Sequence, residues 1–213
     1  MSIAITFSQI LVYFILVLPI RFFLRVKGKH NLKSFEALSK KNGVLLISNH
    51  TSRTDPFVIF SSFPFSVFYK LVPIHFMTSS AYLNNWLQRL ILTLLGCFPH
   101  KTSDPTYSSV FRSVELISRG ERVLIFPEGK RVKLLKSSEP KRGIGTIVLE
   151  SSYSVLPIRI IGVEHLTIGK ILRRGLNATI VTDTIISNQE AKSISTDPNI
   201  IAKELMKRVY ELN

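Results

Sequence analysis

Apolar runs alternate with amphipathic stretches along most of the chain. Four runs have the length typical of strands, at 43–48, 122–126, 154–163 and 177–186. Helical spacing of apolar positions marks five further segments, at 56–62, 80–95, 105–119, 143–152 and 198–212. This alternation predicts an α/β fold, a single domain in which helices flank a central mixed sheet.

The N-terminal segment follows a different pattern. Residues 1–20 carry no charged side chain, and Arg21, Arg25, Lys27 and Lys29 follow directly. An apolar helix of that length approaches the ~20 residues needed to cross the hydrocarbon core of a membrane, with the flanking cations on its cytoplasmic side. A cleaved signal peptide is disfavoured, because no lysine or arginine precedes the apolar run and no small-residue cleavage site follows it.

Three structures are open for this apolar segment. A helix here could span the membrane, lie in one leaflet, or be buried as a core helix. Gln9 and Pro19 favour a shallow, monotopic anchor over a spanning helix. We therefore predict a membrane anchor with a basic flank at 1–30 and the main domain at 31–213. That domain is expected on the cytoplasmic side of the inner or cytoplasmic membrane.

Two other apolar segments have more than one interpretation. Residues 57–76 hold six of the fourteen phenylalanines, and core packing is favoured there over a lipid-facing surface or an acyl channel. Within 80–95, apolar residues at spacings of three and four predict a core-facing helix, with an interface near Trp86 as the alternative. These residues are Leu83, Trp86, Leu87, Leu90, Ile91, Leu94 and Leu95.

Composition narrows the class of partner. The 213 residues include 28 Lys and Arg against 14 Asp and Glu, a net charge of +14 at pH 7. Such a balance favours nucleic acid or an acidic membrane surface. The apolar N-terminal segment favours membrane lipids, so we predict no nucleic-acid partner. The single cysteine, Cys97, permits no internal disulfide, and the histidines show no metal-ligand spacing, so no metal is expected.

The candidate chemistry begins at NHTSRTD, residues 49–55, directly after the first predicted strand. His50 and Asp55 are five positions apart, so they can meet only across a turn between a strand and a helix. A carboxylate bonded to one ring nitrogen fixes the tautomer of a histidine and leaves the other nitrogen to accept a hydroxyl proton. The pair is therefore a candidate general base, His50, oriented by Asp55.

Two alternatives to this interpretation stay open. Asp55 followed by Pro56 could simply cap a helix, with His50 as polar turn chemistry. A covalent route through a protein hydroxyl is also not excluded. The hydroxyls nearby along the chain are those of Ser48, Thr51, Ser52 and Thr54.

A second polar cluster, FPEGKR at 126–131, follows another predicted strand. Ligands of open α/β sheets bind at the carboxyl ends of strands. Lys130 and Arg131 after Gly129 can hold an anion such as phosphate, because the guanidinium fork matches its oxygens. Glu128 could orient a substrate hydroxyl or pair with a cation, and a solvated turn is the alternative for the whole cluster.

The two clusters together resemble the signature blocks of the glycerolipid acyltransferases, the family that includes bacterial 1-acyl-glycerol-3-phosphate acyltransferase and other lysophospholipid acyltransferases. Weaker agreement comes from LGCF around Gly96, KRG at 141–143 and VLPIRI at 155–160. The resemblance covers roughly residues 40–165, with the first and third blocks specific as a pair.

This resemblance implies an acyltransferase domain at 31–213. The reaction would move a fatty acyl group from acyl-CoA or acyl carrier protein to a hydroxyl of a lysophospholipid such as 1-acyl-glycerol-3-phosphate. His50 would act as general base and Asp55 would orient it, with no acyl-enzyme. The acceptor and its phosphate would be bound with the help of Glu128, Gly129 and Arg131. No cofactor is implied, and the expected partners are the two substrates, membrane lipids and acyl carrier protein as a candidate.

The chain departs from the family pattern at two places. The second block commonly ends in an arginine that contacts the acceptor phosphate, whereas GCFPHK leaves Lys101 as the nearest cation. Lysine keeps the charge but loses the bidentate fork. Lys130 stands where threonine is common. We predict that Gly96, Lys101 and Lys130 also contribute to substrate binding, and another lyso-lipid or hydroxylated amphiphile is an alternative acceptor.

Two other classes of function stay open. A membrane-bound lipid hydrolase could use the same pair to activate water, and it would release product without an acceptor lipid. A non-enzymatic basic protein could bind anionic lipid or nucleic acid. That protein would bind with steep salt dependence, and His50→Ala would not change its binding.

Overall fold

A mixed sheet of seven strands forms the centre of the molecule. The computed structural model describes residues 2–31, 35, 43–100, 107–131, 139–163 and 177–213. The strands within them are β1 Lys27–His30, β2 Val44–Ser48, β3 Ile74–Ser79, β4 Cys97–His100, β5 Arg122–Ile125, β6 Ser154–Ile161 and β7 Thr179–Thr182. Their spatial order is β1-β7-β6-β2-β5-β3-β4.

Strand β2 lies in the middle of this sheet, parallel to β5 on one side and to β6 on the other. Among the described strand pairs, only β6 and β7 run antiparallel. All five residues of β2 are buried, as a central parallel strand requires when both faces of the sheet are covered. The predicted α/β domain with a central mixed sheet flanked by helices is confirmed.

Helices cover the two faces of the sheet. They are α1 Ser2–Phe23 with a π-helical turn at Tyr13–Val17, α2 Asp55–Ser62, α3 Phe65–Leu71, α4 Trp86–Leu94, α5 Tyr107–Ser118, α6 Gly143–Glu150, α7 Asn188–Ser193 and α8 Pro198–Glu211. Residues of α1, α2 and α3 share one apolar cluster with Leu46 of β2. Residues of α5, α6 and α8 share the other cluster with Leu45, because successive strand side chains point to opposite faces.

The four strands predicted from sequence are present, as β2, β5, β6 and β7, whereas β1, β3 and β4 escape the prediction. The strand β1 reads KGKH, and among the described strands it pairs with β7 alone, so its side chains need not be apolar. At the other end of the strand order, β4 contains Pro99, which sheets tolerate at an edge. Residues 27–30, the basic flank of the predicted anchor, therefore contribute a strand to the sheet.

The prediction of a core-facing helix at 80–95 is wrong. The chain forms a 3-10 turn at Ser80–Leu83 and then begins α4. Trp86 is 75% exposed, and Leu87, Leu90, Ile91 and Leu94 are exposed as well. Spacing shows that a helix has an apolar face, but it does not show what covers that face. Here α4 packs beside α1 and β4 and leaves these side chains open.

Candidate active site

His50 and Asp55 meet across the turn that joins β2 to α2. His50 Nδ1 lies 2.8 Å from Asp55 Oδ2. The carboxylate is 0% exposed and also accepts the backbone N–H groups of Thr51 and Ser52, at 2.6 and 2.9 Å. Because a carboxylate accepts the hydrogen bond at Nδ1, that nitrogen carries the proton and Nε2 of the neutral imidazole is left as the base.

The position of Asp55 differs from that of a helix cap. A capping carboxylate accepts N–H groups from the first turn of the helix that follows it. The carboxylate of Asp55 instead accepts from Thr51 and Ser52, which precede it, and the N-cap position of α2 belongs to Thr54. The side chain of Asp55 thus serves the histidine and its turn.

The nearby hydroxyls bond to groups other than the imidazole. The Ser48 hydroxyl donates to Asn49 O at 3.2 Å, and the Thr51 hydroxyl donates to Asp55 Oδ1 at 3.1 Å. The hydroxyls of Ser52 and Thr54 bond to each other at 2.9 Å. A serine or threonine nucleophile needs its hydroxyl hydrogen-bonded to the base, so this geometry favours a hydroxyl brought by a substrate.

Three contacts hold the turn against the sheet. The side chain of Asn49 bonds to both backbone groups of Ile160 on β6, donating to its oxygen at 2.9 Å and accepting from its N–H at 2.8 Å. The N–H of His50 donates to Glu128 Oε2 at 3.1 Å. The imidazole stacks on Phe126, with ring centroids 4.3 Å apart and planes inclined by 21°. His50 is therefore fixed in backbone and ring, as a positioned base requires.

The FPEGKR cluster forms a turn at the end of β5. Glu128 is 3% exposed, and its two oxygens accept the N–H of His50 and the hydroxyl of Tyr210. The pKa of Glu128 is raised, because the effect of burial is larger than the opposing effect of these two hydrogen bonds. Gly129 has a φ of 64°, and a Cβ there would lie 2.5 Å from Cε of Lys141. The left-handed conformation favours glycine at this position, and any side chain here would displace the end of the Lys141 side chain.

A cavity of about 540 Å³ lies beside His50. Arg53 and Arg131 are in its wall with His50, and both arginines are exposed to solvent. Most of the wall is apolar and comes from α1, α2, β3 and α4. The phenylalanines in the wall are Phe57, Phe60, Phe68, Phe76 and Phe126. A base, two guanidinium groups and an apolar volume suit an amphiphile with an anionic group.

The aromatic segment at 57–76 packs as predicted and also faces this cavity. Phe60, Phe63 and Phe68 are buried in the apolar cluster of α1, α2 and α3, so core packing is confirmed for these rings. Phe60 and Phe68 contribute to the cavity wall as well. The acyl channel stays a prediction, and these two side chains are where core and cavity meet.

Comparison with known proteins assigns the family. The profile of the Acyltransferase family matches residues 23–161, a segment that contains both NHTSRTD and FPEGKR. The chain belongs to the Acyltransferase family. The resemblance to glycerolipid acyltransferases is thereby confirmed.

Similar proteins of known name support this assignment. A protein of Mycoplasma pneumoniae named "Probable 1-acyl-sn-glycerol-3-phosphate acyltransferase" is 27% identical over 143 residues, which cover 66% of this chain and 52% of that protein. A chloroplastic 1-acyl-sn-glycerol-3-phosphate acyltransferase of Arabidopsis thaliana is 29% identical over 157 residues, 69% of this chain and 38% of that protein. The chain thus spans about half of the first relative and less of the second.

A solved structure shares the fold. The crystal structure of the 1-acyl-sn-glycerophosphate (LPA) acyltransferase from Thermotoga maritima superposes with a TM-score of 0.63 at 17% sequence identity. The superposition covers 91% of this chain and 76% of that one. The α/β sheet and the N-terminal helix of this Acyltransferase family member therefore belong to one known architecture.

The other described residues predicted to bind substrate in this family member are not found in the cavity wall. Gly96 has a φ of 87°, and a Cβ there would collide with the carbonyl oxygen of Ile74, so this glycine allows the turn into β4 to approach β3. Lys130 is exposed and, unlike Arg131, is not in the cavity wall. Lys101 lies outside the described residues. Their roles in substrate binding, like those of Glu128 and Gly129, stay predictions.

The structure adds four residues to the site that sequence reasoning misses. Asn49 and Arg53 lie within the NHTSRTD block. Their closeness to His50 in the sequence is a signal from which they could have been predicted. Phe126 opens FPEGKR, but nothing in the sequence announces its stacking on His50. Tyr210, in α8, bears no local signal. Among the described residues, no group of three or more His, Cys, Asp or Glu side chains could hold a metal ion.

Proposed function

We propose that this protein transfers a fatty acyl group from an acyl thioester to the hydroxyl of a lysophospholipid such as 1-acyl-glycerol-3-phosphate. One observation carries the proposal: the imidazole of His50, bonded to a buried carboxylate at 2.8 Å, is in the wall of an apolar cavity that also holds two arginines. Membership of the Acyltransferase family and the names of its relatives support the same reaction.

The proposed chemistry needs one proton transfer and one substitution at the thioester. Nε2 of His50 takes the proton of the acceptor hydroxyl as its oxygen attacks the thioester carbonyl. The tetrahedral intermediate then collapses with cleavage of the carbon–sulfur bond, and the imidazolium gives its proton to the leaving thiolate. Asp55 stabilises the imidazolium between these two steps. No acyl-enzyme forms.

The two arginines of the cavity wall are the proposed site for the acceptor phosphate. Arg131 belongs to the FPEGKR turn, and Arg53 lies within the His50 turn, where its guanidinium carbon is 5.9 Å from the centre of the Tyr82 ring. One guanidinium group can donate two parallel N–H hydrogen bonds to two oxygens of a phosphate. Arg53 therefore offers a second guanidinium group for the phosphate. The family commonly has an arginine for this purpose at the end of its second block, where this chain has Lys101.

Arg131→Ala is expected to raise KM for the acceptor lipid about ten- to a hundredfold, since a charge-assisted hydrogen bond is removed from the phosphate. KM for the acyl donor should change little. The measurement is initial rate against acceptor concentration at saturating donor. Arg119→Ala is a matched control, because it removes an exposed arginine bonded to Glu115 outside the cavity wall. An unaltered acceptor KM in Arg131→Ala would exclude this residue from phosphate binding.

We also propose that α1 is a shallow membrane anchor. By length and composition it could span a bilayer, but its polar side chains tie it along the domain. Gln9 donates to Ile74 O at 2.6 Å and accepts from Ile74 N at 3.0 Å. The hydroxyl of Tyr13 donates to Phe63 O at 2.9 Å. These contacts favour a helix that lies beside the sheet over one that projects from it.

The outward side of α1 supports the same proposal. Its exposed large apolar residues are Ile3, Phe7, Leu11, Phe14, Ile15, Leu16, Leu18 and Phe22. The helix α4, which packs against α1, also exposes large apolar residues. An apolar surface of this kind, on a chain of net charge +14, suits the interface of an anionic bilayer. The cavity wall includes residues of both helices, so a lipid could enter it from that side.

Replacing Phe7 and Phe14 together by serine is expected to weaken binding to vesicles that contain anionic phospholipid at least tenfold, since each aromatic side chain gains about 1.5–3 kcal/mol from leaving water. Vesicle flotation measures the bound fraction. Ile200→Ser removes from α8 an apolar side chain that is as exposed as Phe14, and this variant should bind as the unaltered protein does. Equal binding of all three proteins would refute the anchor.

Acyl transfer itself is tested with purified protein, vesicles, and radiolabelled acyl-CoA or acylated carrier protein. The acceptors are a panel of lysophospholipids and other hydroxylated amphiphiles. Label should move to a lysophospholipid, and little free fatty acid should form when the acceptor is omitted. Fatty acid release without acceptor would instead identify a hydrolase. If folded protein labels no acceptor from either donor, the proposed function fails.

A further inference from the structure

Tyr210 links the last turn of α8, through Glu128, to the active-site turn, which is residues 49–54 between β2 and α2. Its hydroxyl donates to Glu128 Oε1, across 82 positions of the sequence. Glu128 Oε2 in turn accepts the N–H of His50. The carboxylate of Glu128 is therefore a bridge with α8 on one side and the proposed base on the other.

The backbone that carries Tyr210 is itself held to the sheet. Arg159 of β6 donates through Nη1 to the carbonyl oxygens of Tyr210 and Leu212, both at 2.6 Å. The next residue of β6, Ile160, is the one that bonds to Asn49. One strand thus supports both the end of α8 and the start of the active-site turn, so the distance between Tyr210 and that turn is set by a rigid element.

The Tyr210 hydroxyl is a dependable donor. Burial, together with the hydrogen bond to the Glu128 carboxylate, raises the pKa of Tyr210, so the hydroxyl stays protonated at neutral pH. Glu128 is almost completely buried, and a buried carboxylate that loses one of two donors must reorient, take up a proton or draw in water. Each of these changes would loosen the hold of Glu128 on the His50 backbone.

We propose that Tyr210 is a positioning residue for proton transfer: through Glu128, it holds the backbone of His50 where the imidazole meets both Asp55 and the acceptor hydroxyl. This role rests on the proposed acyl transfer. Tyr210 is not among the residues that line the cavity, so we expect its removal to act on the rate of the chemical step more than on substrate binding.

Tyr210→Phe keeps the ring and removes the donor. We expect kcat to fall about five- to thirtyfold, which is less than the full loss of a hydrogen bond to a charged group would produce, because Tyr210 acts on the base only through Glu128. KM for either substrate should change less than about twofold. The matched control is Tyr153→Phe, because Tyr153 packs on the same apolar cluster and its hydroxyl donates to Ser118 O at 3.4 Å. That variant should keep the wild-type kcat.

A double-mutant cycle tests whether Tyr210 acts through Glu128. Glu128→Gln is expected to lower kcat, because a neutral amide accepts the N–H of His50 more weakly than a carboxylate does. Adding Tyr210→Phe to Glu128→Gln should lower kcat by less than about twofold further. The same five- to thirtyfold loss in both backgrounds would show that Tyr210 acts independently of Glu128 and would overturn the proposal.

Amide hydrogen exchange provides a readout that needs no activity. Tyr210→Phe should speed exchange in a peptide covering residues 49–55, since its amides include the one bonded to Glu128, and Tyr153→Phe should not. Each variant is compared at the same interval below its own Tm, so a loss of overall stability is not mistaken for a local one. Wild-type exchange combined with wild-type kcat in Tyr210→Phe would refute the proposal. If the wild-type protein shows no transfer activity, the proposed acyl transfer alone is refuted. The exchange rates would still show whether Tyr210, through Glu128, holds the backbone of His50.

Discussion

His50→Ala is expected to lower the rate of acyl transfer by about 10²- to 10⁴-fold, the contribution of a positioned general base. The protein should still fold, because the alanine keeps the backbone N–H that donates to Glu128 and the imidazole lies at the cavity wall. Binding to vesicles should be unchanged, since α1 and α4 are untouched. The measurements are label transfer to a lysophospholipid, vesicle flotation and thermal unfolding of the same preparation.

His100→Ala is the matched control for this substitution. His100 ends β4, lies outside the cavity wall and has its Nδ1 2.9 Å from the hydroxyl of Ser109. This variant should transfer acyl groups at close to the wild-type rate. If folded His50→Ala protein retains more than about a tenth of wild-type activity, His50 is not the base. A wild-type protein that binds vesicles but transfers nothing would instead support the non-enzymatic alternative.

The contact between His50 and Asp55 could be predicted because local signals determine it. An apolar strand ends at Ser48, and an aspartate followed by a proline begins a helix, so the six residues between these two ends must form a turn. The sheet order then brings the end of β5 beside that turn. NHTSRTD and FPEGKR therefore lie next to each other in space because each follows the end of a strand and the two strands pair in parallel.

The surroundings of that pair could not be predicted in the same way. Asn49 bonds to Ile160 across 111 positions, and Glu128 bonds to Tyr210 across 82. Such contacts depend on the packing of whole elements, and no local pattern of residues encodes them. The exposure of α4 has a similar cause. Its apolar stripe is present in the sequence, but only the position of the helix at the border of the sheet decides that the stripe is left open.

The amphiphile-binding interpretation explains why these unpredicted features occur together. The apolar residues of α1 and α4 that remain exposed lie on the two helices that also contribute to the cavity wall. The groups that fix His50, by contrast, are the side chain of Asp55 at the start of α2, the turns after β2 and β5, the backbone of β6, and Tyr210 of α8. The exposed apolar surface and the hydrogen bonds that hold the proposed base are therefore built from different elements. Substitutions on the outer face of α1 should accordingly change vesicle binding without changing the proton transfer.

Asp55→Asn is expected to lower kcat by about 10²- to 10⁴-fold with little change in either KM. The Asp55 carboxylate faces four donors, which are Nδ1 of His50, the N–H groups of Thr51 and Ser52, and the hydroxyl of Thr51. The amide of asparagine has one oxygen for them and brings an NH₂ group of its own. If the NH₂ group faces His50, the imidazole must accept at Nδ1 and carry its proton on Nε2, which removes the base.

The same substitution should lower the free energy of unfolding by about 1–3 kcal/mol, because the half-buried N–H groups of Thr51 and Ser52 lose a charged acceptor. Asp197→Asn is the matched control. Asp197 caps α8 by accepting the N–H of Asn199 at 2.8 Å, and asparagine caps helices nearly as well, so its activity and stability should be close to wild type. Wild-type kcat in folded Asp55→Asn protein would rule out the orienting role.

Combining Asp55→Asn with His50→Ala separates an orienting role from a direct one. If Asp55 acts through the imidazole, it has nothing to orient once His50 is alanine, and the double variant should transfer acyl groups as slowly as His50→Ala alone. If the two losses multiply, Asp55 acts on the substrate itself. That result would be hard to reconcile with a carboxylate that is 0% exposed and already bonded to the turn, so the cycle tests the geometry and the mechanism together.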